Sequence, residues 1–236
     1  MKSKADLHIH TYFSDGLDSP EQIVKTASIK ELAVIAICDH NRIKGAQKAQ
    51  EFAQAHPYLG VEVIVGEEIT TVNGHILGLF LKERIKPGLT AEETIEKIHQ
   101  QKGLAILPHP FHFYIGKKRG HVSAGKLMDR LPIDGLEVIC NSSAASWWAN
   151  MKAALKNASS MHTAIGSSDA HDAHFLGHGY TLFAGRTAAD LRLAIEMKKC
   201  TAHYHFWSLS DLYRYLHTGI QNLAKYYLGS GKRAEL

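Results

Sequence analysis

Short apolar runs alternate with helix-like stretches along most of this chain, and this alternation is the strongest constraint on its fold. The run Leu32–Cys38 is continuously apolar, which is typical of a strand covered on both faces. The run Val61–Val65 is similar, and between the two Asn41 is expected to cap a helix that ends near Ala55. About seven such strands, with no evident edge strand, favour a single barrel surrounded by helices over an open sheet.

Two segments depart from this β/α alternation. Asn73-Gly74 lies between two apolar runs and predicts a β-hairpin. Near the C-terminus, residues 208–211 resemble a capping box, and apolar residues then recur at helical spacing until Gly229. We therefore expect residues 1–206 to form the barrel domain and residues 207–236 to form a C-terminal helix with a short basic tail. This helix is expected either to pack on the barrel or to lie at a homodimer interface.

The bulk composition excludes several classes of protein. The net charge of +4 is too small for a dedicated nucleic-acid-binding protein. No apolar run approaches the ~18–20 residues that span a bilayer, and the first residues lack the apolar core of a signal peptide. We therefore expect a cytoplasmic protein that does not bind membranes. The cysteines form no CxxC pair, so neither a zinc ribbon nor a disulfide framework is indicated.

The chain is unusually rich in histidine, with 16 residues of this type. Many of them stand with aspartate and glutamate at the ends of the predicted strands, where βα barrels carry their active sites. Side chains alternate along a strand, so His8 and His10 share one face and can bind the same metal ion. The potential ligands at the strand ends are His8, His10, Asp15, His40, Glu68, His75, His109, Asp169 and His171.

This set of potential ligands is too large for a single metal ion, because a four-coordinate zinc takes about three or four protein ligands. The sequence therefore predicts two or three divalent ions that share carboxylates. Nitrogen and oxygen ligands without thiolate suit zinc, manganese or iron, and the usual order of metal affinities does not choose among these three.

Five short motifs resemble those of the PHP (polymerase and histidinol phosphatase) family, and they occur in the family's order over about residues 4–200. The first motif, DLHIHTYFSDG at Asp6–Gly16, is similar to the family's DLHxHTxxSDG. The remaining motifs are Cys38–Asn41 (CDHN), Gly66–Glu68 (GEE), Pro108–Pro110 (PHP) and Ser168–His171 (SDAH).

The resemblance implies a distorted (β/α)7 TIM-like barrel with a trinuclear metal site that hydrolyses phosphate esters. It implies one metal at His8, His10, Glu68 and Asp169, a second at Glu68, His75 and His109, and a third at Asp15, His40 and His171. Two positions depart from the family pattern. Cys38 replaces the usual threonine, which bears on metal choice or redox sensitivity. Arg42 stands where a small residue is more usual, which adds a cation near the mouth of the site.

The expected mechanism is attack on phosphorus by a metal-bound hydroxide, because bound metals lower the pKa of water toward neutrality. The other ions and nearby cations would neutralise the phosphoryl oxygens. The residues expected to hold the hydroxide through their metals are Asp15, His40, Glu68 and His171. Residues of loops that border the site are candidate substrate contacts, namely Arg42, His112, Lys118, Arg119 and His178.

We therefore expect a metal-dependent phosphoesterase that acts on a small phosphorylated metabolite or nucleotide. The short stretch between His75 and His109 leaves no room for a large insertion over the site. One alternative is a PHP-type nuclease, similar to a 3'-5' exonuclease, acting on DNA or RNA, but the weak net charge disfavours nucleic acid. A non-catalytic metal-binding regulatory module is an alternative of another class. A single-metal amidohydrolase also begins with HxH but does not require Asp15 or the pair Glu68 and His75.

Overall fold

The computed structural model describes residues 1–112 and 124–217. The strands within these residues are β1 (Lys2–Ile9), β2 (Leu32–Ile37), β3 (Glu62–Thr71), β4 (Gly74–Leu79), β5 (Leu104–Leu107), β6 (Gly135–Cys140), β7 (Ala164–Ser167), β8 (Gly179–Ala184) and β9 (Thr201–Tyr204). The α-helices are α1 (Pro20–Ile29), α2 (Lys44–Ala55), α3 (Ala91–Gln100), α4 (Trp147–Ser160) and α5 (Ala188–Glu196).

All of these strands join one sheet, in the order β7-β6-β5-β4-β3-β2-β1-β8-β9. The pairs β1–β2, β2–β3, β5–β6 and β6–β7 are parallel. The chain just beyond β7 returns to β1, where the backbone N–H of His10 donates to the carbonyl of Ala170 at 2.9 Å and Ile9 pairs with Ala170. The sheet is therefore a nearly closed barrel, which confirms the predicted α/β barrel class.

The number of strands differs from the expected seven, because the described residues form a nine-stranded sheet. The turn at Asn73-Gly74 does form the predicted hairpin, and β4 lies antiparallel between β3 and β5. On the other side of β1, β8 and β9 continue the sheet in antiparallel orientation. Side chains of β8 alternate between buried and more exposed, and no side chain of β9 is fully buried. Neither strand therefore carries a continuous apolar run such as the one that predicted β2.

Asn41 does not cap a helix, which corrects the prediction. α2 begins at Lys44, and Ile43 occupies the N-cap position without a side-chain hydrogen bond. Asn41 instead binds Thr70, since its Oδ1 accepts from the Thr70 backbone N–H at 2.8 Å and its Nδ2 donates to Thr70 Oγ1 at 3.0 Å. Its positive φ of 54° is one that asparagine tolerates better than most residues. Asn41 therefore fastens the loop after β2 to β3.

The two faces of β1 have opposite characters. Leu7 and Ile9 are fully buried in the apolar interior, and burial of each such side chain stabilises the fold by about 1.5–3 kcal/mol. His8 and His10 alternate with them and are also fully buried. A buried imidazole is unfavourable unless its nitrogens have polar partners. The fold must therefore supply such partners at the end of β1.

The chain divides into two compact units, Met1–His205 and Phe206–Leu236. In the second unit, residues 209–217 are helical. The predicted capping box is present, since Ser208 Oγ accepts from the Asp211 N–H at 3.1 Å and Asp211 Oδ2 accepts from the Ser208 N–H at 2.8 Å. Packing of this helix on the barrel or on a second copy stays a prediction. Across the described part of the chain, no helix is long and apolar enough to cross a bilayer.

Candidate metal centre

The nine potential ligands converge at the end of the barrel where the parallel strands have their C-termini, and His75 reaches this end from the start of the antiparallel strand β4. Each of them has a nitrogen or oxygen atom no farther than 3.3 Å from such an atom of another member of the set. His8 lies in β1 and His10 directly follows it, Glu68 lies within β3, and His75 faces it from β4. The remaining members lie in the loops that follow β1, β2, β5 and β7, namely Asp15, His40, His109, Asp169 and His171.

Four buried side chains form the centre of this cluster. His8 Nε2 lies 3.1 Å from His10 Nε2, and Glu68 Oε2 lies 3.4 Å from both of these nitrogens. Asp169 Oδ1 is 3.5 Å from His8 Nε2 and 3.2 Å from His10 Nε2. In a tetrahedral site with metal–ligand distances of about 2.0–2.1 Å, neighbouring ligand atoms are about 3.3–3.4 Å apart. These atoms therefore already have the spacing that a tetrahedral ion requires.

The second oxygen of Glu68 faces a different pair of rings. Glu68 Oε1 lies 2.6 Å from His75 Nδ1 and 3.0 Å from His109 Nε2. His40 also approaches this carboxylate, with its Nδ1 3.1 Å from Glu68 Oε2. A carboxylate whose two oxygens face separate groups of imidazoles has the geometry of a ligand that bridges two ions.

A third group lies toward solvent around Asp15, whose side chain is 50% exposed. Asp15 Oδ2 is 3.3 Å from His171 Nε2 and 3.5 Å from His40 Nε2. The ring of His10 also reaches this group, because its Nδ1 lies 3.6 Å from Asp15 Oδ1. The side chains of His40 and His171 are 29% and 39% exposed, so this side forms the mouth of the site.

The carboxylates of the cluster stay anionic at neutral pH. Burial alone would raise the pKa of Glu68, but the surrounding histidines hold this pKa well below its ordinary value, and His8 has the largest effect among them. The pKa of Asp169 is lowered against the effect of burial by His8 and by a hydrogen bond with His10. Hydrogen bonds from His171 and His40 lower the pKa of Asp15 in the same way.

The histidines divide into two groups by charge. Partial desolvation opposes protonation of His171 at the mouth of the site, but its hydrogen bond to Asp15 raises its pKa to about 9. The pKa of His8 is also raised well above its ordinary value against the effect of burial, by Asp169 and neighbouring carboxylates. Burial lowers the pKa of His10 and His75, so these rings are neutral. Protons on His8 and His171 thus balance the anionic carboxylates where no cation is bound, and divalent cations fit the same donor set.

The thiols near the site are not part of this donor set. Cys38 is fully buried and donates to the carbonyl of Leu7 at 3.4 Å. Cys140 Sγ lies 3.8 Å from Asp169 Oδ2, the oxygen that does not face His8 and His10. Burial raises the pKa of both thiols, so they remain protonated. The influence of Cys38 on metal choice or redox sensitivity stays a prediction.

Three further carboxylates hold the ligand-bearing segments in place and were not among the predicted site residues. Asp39 accepts from the backbone N–H and the hydroxyl of Thr11, each at 2.8 Å, and fixes the loop that leads to Asp15. Asp6 accepts from the backbone N–H of Ser168 at 3.0 Å and ties β1 to the loop that carries Asp169. Glu137 contacts His8 and the backbone of His109. Asp39 lies just after β2, whereas Asp6 and Glu137 are acidic residues inside the otherwise largely buried strands β1 and β6, which is the signal that could have identified them.

The candidate substrate contacts lie in different surroundings. Arg42 is exposed just after His40. His112 has a buried Nε2 without a hydrogen-bond partner in the described residues, and its ring centre is 5.9 Å from that of His109. The ring of His178 packs edge-on against Phe175, with the ring centres 5.4 Å apart. Lys118 and Arg119 lie outside the described residues.

Comparison with known proteins gives matches over most of this chain. The family model of the PHP domain matches residues 6–116, and that of the PHP-associated region matches residues 147–200. The uncharacterized protein MJ1587 of Methanocaldococcus jannaschii is 44% identical over 146 residues, which are 57% of this chain and 80% of that protein.

Two relatives with named activities match shorter stretches. A 5'-3' exoribonuclease of Haemophilus influenzae is 36% identical over 106 residues, which are 43% of this chain and 37% of the enzyme. A phosphoribosyl 1,2-cyclic phosphate 1,2-diphosphodiesterase of Eggerthella lenta is 33% identical over 102 residues, which are 40% of this chain and 37% of the enzyme.

A solved structure shares the fold. The crystal structure of a two-domain protein from Bacteroides vulgatus, containing a predicted PHP-like metal-dependent phosphoesterase, superposes with a TM-score of 0.69 at 20% identity. The match covers 92% of this chain and 70% of that protein.

Proposed function

Because this chain belongs to the PHP family and is therefore a metal-dependent phosphoesterase, we propose that it hydrolyses a small phosphorylated metabolite or nucleotide. The observation that carries the proposal is the one-sided accessibility of the ligand cluster. His8 and His10 are fully buried and Glu68 is 1% exposed, whereas Asp15 is half exposed. A phosphate group can therefore reach the ligands through the mouth beside Asp15, which suits a small ester or a free chain end.

We assign the metals to the ligand groups around Glu68. Divalent ions held there would supply water of lowered pKa and neutralise negative charge on phosphoryl oxygens. The chain's own contribution is position: Glu68 orients histidine rings on both of its sides, and Asp39 holds the loop before Asp15 in one conformation. Such prior organisation means that little rearrangement is needed when the ester arrives.

We further assign His112 to substrate binding. Its ring lies beside that of His109, at the edge of the ligand cluster. Burial lowers the pKa of His112, so the ring is neutral and carries one N–H. Its buried Nε2 has no hydrogen-bond partner within the described residues, and an unpaired buried polar atom costs about 1–3 kcal/mol. A phosphoryl or hydroxyl oxygen of the substrate would remove this cost.

A panel of small esters tests the proposed function. Protein loaded with manganese or zinc is incubated with p-nitrophenyl phosphate, bis(p-nitrophenyl) phosphate, nucleoside phosphates and cyclic phosphates, and the products are quantified. We expect hydrolysis that is lost in His10→Ala and retained in His203→Ala, which changes a histidine of β9. Failure of the fully metallated protein to cleave any of these esters would overturn the small-substrate proposal.

The second candidate is a nuclease, and one observation favours it. The exoribonuclease relative is 36% identical over 106 residues, which are 43% of this chain. The same preparation is therefore given single-stranded RNA and DNA labelled at either end. Shortening of these strands without release of inorganic phosphate, together with no cleavage of the small esters, would favour the nuclease.

A further inference from the structure

Glu137 lies within β6, is 1% exposed, and its carboxylate has three hydrogen-bond partners. Oε1 lies 3.0 Å from His8 Nδ1 and accepts from the hydroxyl of Ser167 at 2.5 Å. Oε2 accepts from the backbone N–H of His109 at 2.7 Å. One buried carboxylate thus contacts two residues that face opposite oxygens of Glu68.

The donors around Glu137 determine where the proton of His8 resides. Both oxygens of Glu137 already accept from donors, Ser167 and the His109 backbone, and a carboxylate that only accepts requires a proton on the ring nitrogen that faces it. That nitrogen is Nδ1, which leaves the lone pair of a neutral His8 on Nε2. His8 Nε2 is the atom that points toward His10, Glu68 and Asp169. The tautomer imposed by Glu137 is therefore the one that can bind a metal at the centre of the cluster.

We propose that Glu137 is a positioning residue that fixes the metal-binding tautomer of His8. Through the backbone of His109 it also keeps the histidines on both sides of the Glu68 carboxylate in position. The inference rests on the metal-binding part of the proposed function and is independent of which ester is cleaved. Carboxylates that orient a ligating histidine in this way typically change metal affinity by about 10–100-fold.

The substitution Glu137→Gln separates this role from simple packing. A glutamine has nearly the same shape but only one acceptor oxygen and one amide that donates. The backbone N–H of His109 cannot give up its proton, so the oxygen is expected to face it and the amide to face His8 Nδ1. His8 must then accept through Nδ1 and carry its proton on Nε2. The ring would remain in place but would no longer offer Nε2 as a ligand.

Cobalt binding tests this inference without any substrate. Metal-stripped protein is titrated with Co²⁺, the visible absorption of the bound ion is followed, and bound cobalt is counted by elemental analysis. We expect Glu137→Gln to lose one cobalt per chain, or to bind it about 10–100-fold more weakly. The matched control is Ser167→Ala, which removes another donor from the same oxygen but leaves the acceptor intact, and it should bind cobalt as the original protein does. Wild-type cobalt stoichiometry and affinity in Glu137→Gln would overturn the inference.

A measurement on the unchanged chain covers the case in which Glu137→Gln does not fold. Nitrogen-15 spectra of zinc-loaded protein with labelled histidine report which ring nitrogen carries the proton, and comparison with His8→Gln identifies the His8 signals. The inference predicts a proton on Nδ1 and a metal on Nε2 of His8. An unprotonated Nδ1 would overturn it. Neither readout depends on turnover, so an inactive substrate panel would leave this result unaffected.

Discussion

Glu68 Oε1 lies 2.6 Å from His75 Nδ1, while the other oxygen of the same carboxylate faces the histidines of β1. Through its two oxygens Glu68 links His75 of the hairpin strand β4 to the histidines at the end of β1 across a buried site. The antiparallel hairpin, which interrupts the regular β/α pattern, is therefore also the element that brings His75 to the ligand cluster.

Replacing Glu68 tests its bridging role. Glu68→Gln removes one acceptor oxygen and the negative charge that both groups of histidines share, so we expect the chain to lose bound metal on both sides. Hydrolytic activity should fall by at least about 100-fold, because loss of a metal ligand costs more than loss of a residue that only orients a ligand. Elemental analysis and phosphate release measure the two effects.

The neighbouring residue provides a matched control for that substitution. Glu67 is also buried, but it faces away from the ligands and accepts from the backbone N–H of Ile85 at 2.9 Å. Burial raises its pKa to about 7, so a neutral glutamine is a tolerable replacement. Glu67→Gln should retain its metal and activity. Equal losses in both variants would contradict a special role for Glu68.

Metal affinity should depend on pH through His171. The pKa of this histidine is raised to about 9 in the metal-free protein, so its ring is protonated at neutral pH and must lose that proton before it can bind a metal. Apparent affinity should therefore rise as pH increases from about 6.5 toward about 9, by up to about tenfold per pH unit for each proton released. Calorimetric titrations in buffers of different ionisation enthalpy measure the proton release.

The substitution His171→Gln isolates this contribution. The variant should bind the outermost metal more weakly, and its remaining metal binding should release fewer protons above pH 7. Unchanged proton release would show that other groups account for the pH dependence.

His112 should affect substrate binding more than metal binding. His112→Ala removes the hydrogen-bond donor proposed for the substrate but none of the nine ligands, so KM should rise about 5–30-fold, the effect of a hydrogen bond of about 1–2 kcal/mol. His162→Ala is the control, because its Nε2 is likewise buried without a partner in the described residues but lies before β7 begins, at the other end of the strand. Loss of bound metal in His112→Ala, or an equal KM change in the control, would contradict this role.

Gly45 gives a test of the loop that carries Asp15. A Cβ at this position of α2 would clash with Asp39 Oδ2 and Thr11 Oγ1. Gly45→Ala should therefore lower the free energy of unfolding by about 1–3 kcal/mol and weaken metal binding at Asp15. Chemical denaturation of the metal-free variant measures the first effect. Gln47→Ala, an exposed change on the same helix, should alter neither quantity, and a fully stable Gly45→Ala would contradict the described packing.

Much of the site could be predicted because the physical signal is local. Continuous apolar runs mark strands buried on both faces, and ionisable residues stand where such runs end, so His40 and Asp169 fall at one end of the barrel. The antiparallel strands β8 and β9 lack such runs and were missed. Asn41 is a residue type that is common at helix N-caps, but its tertiary contact with Thr70 determines its role.

The orienting carboxylates show where sequence reasoning reaches its limit. Glu137 and Glu68 are both acidic residues associated with strands, and nothing local distinguishes a metal ligand from a residue that holds a ligand. The distinction depends on which atoms face each other across the barrel. Glu137 reaches a residue 129 positions away in the sequence, and only the folded chain reveals this contact.

Crystals of the manganese- or zinc-loaded chain, measured at the absorption edge of the metal, show directly whether Glu68 bridges two ions. We expect anomalous density peaks on both sides of the Glu68 carboxylate, one near His8, His10 and Asp169 and one near His75 and His109. A third peak is expected beside Asp15 and His171. Fully loaded crystals with no peak at Glu68, or with one ion that touches only one of its oxygens, would contradict the multinuclear site.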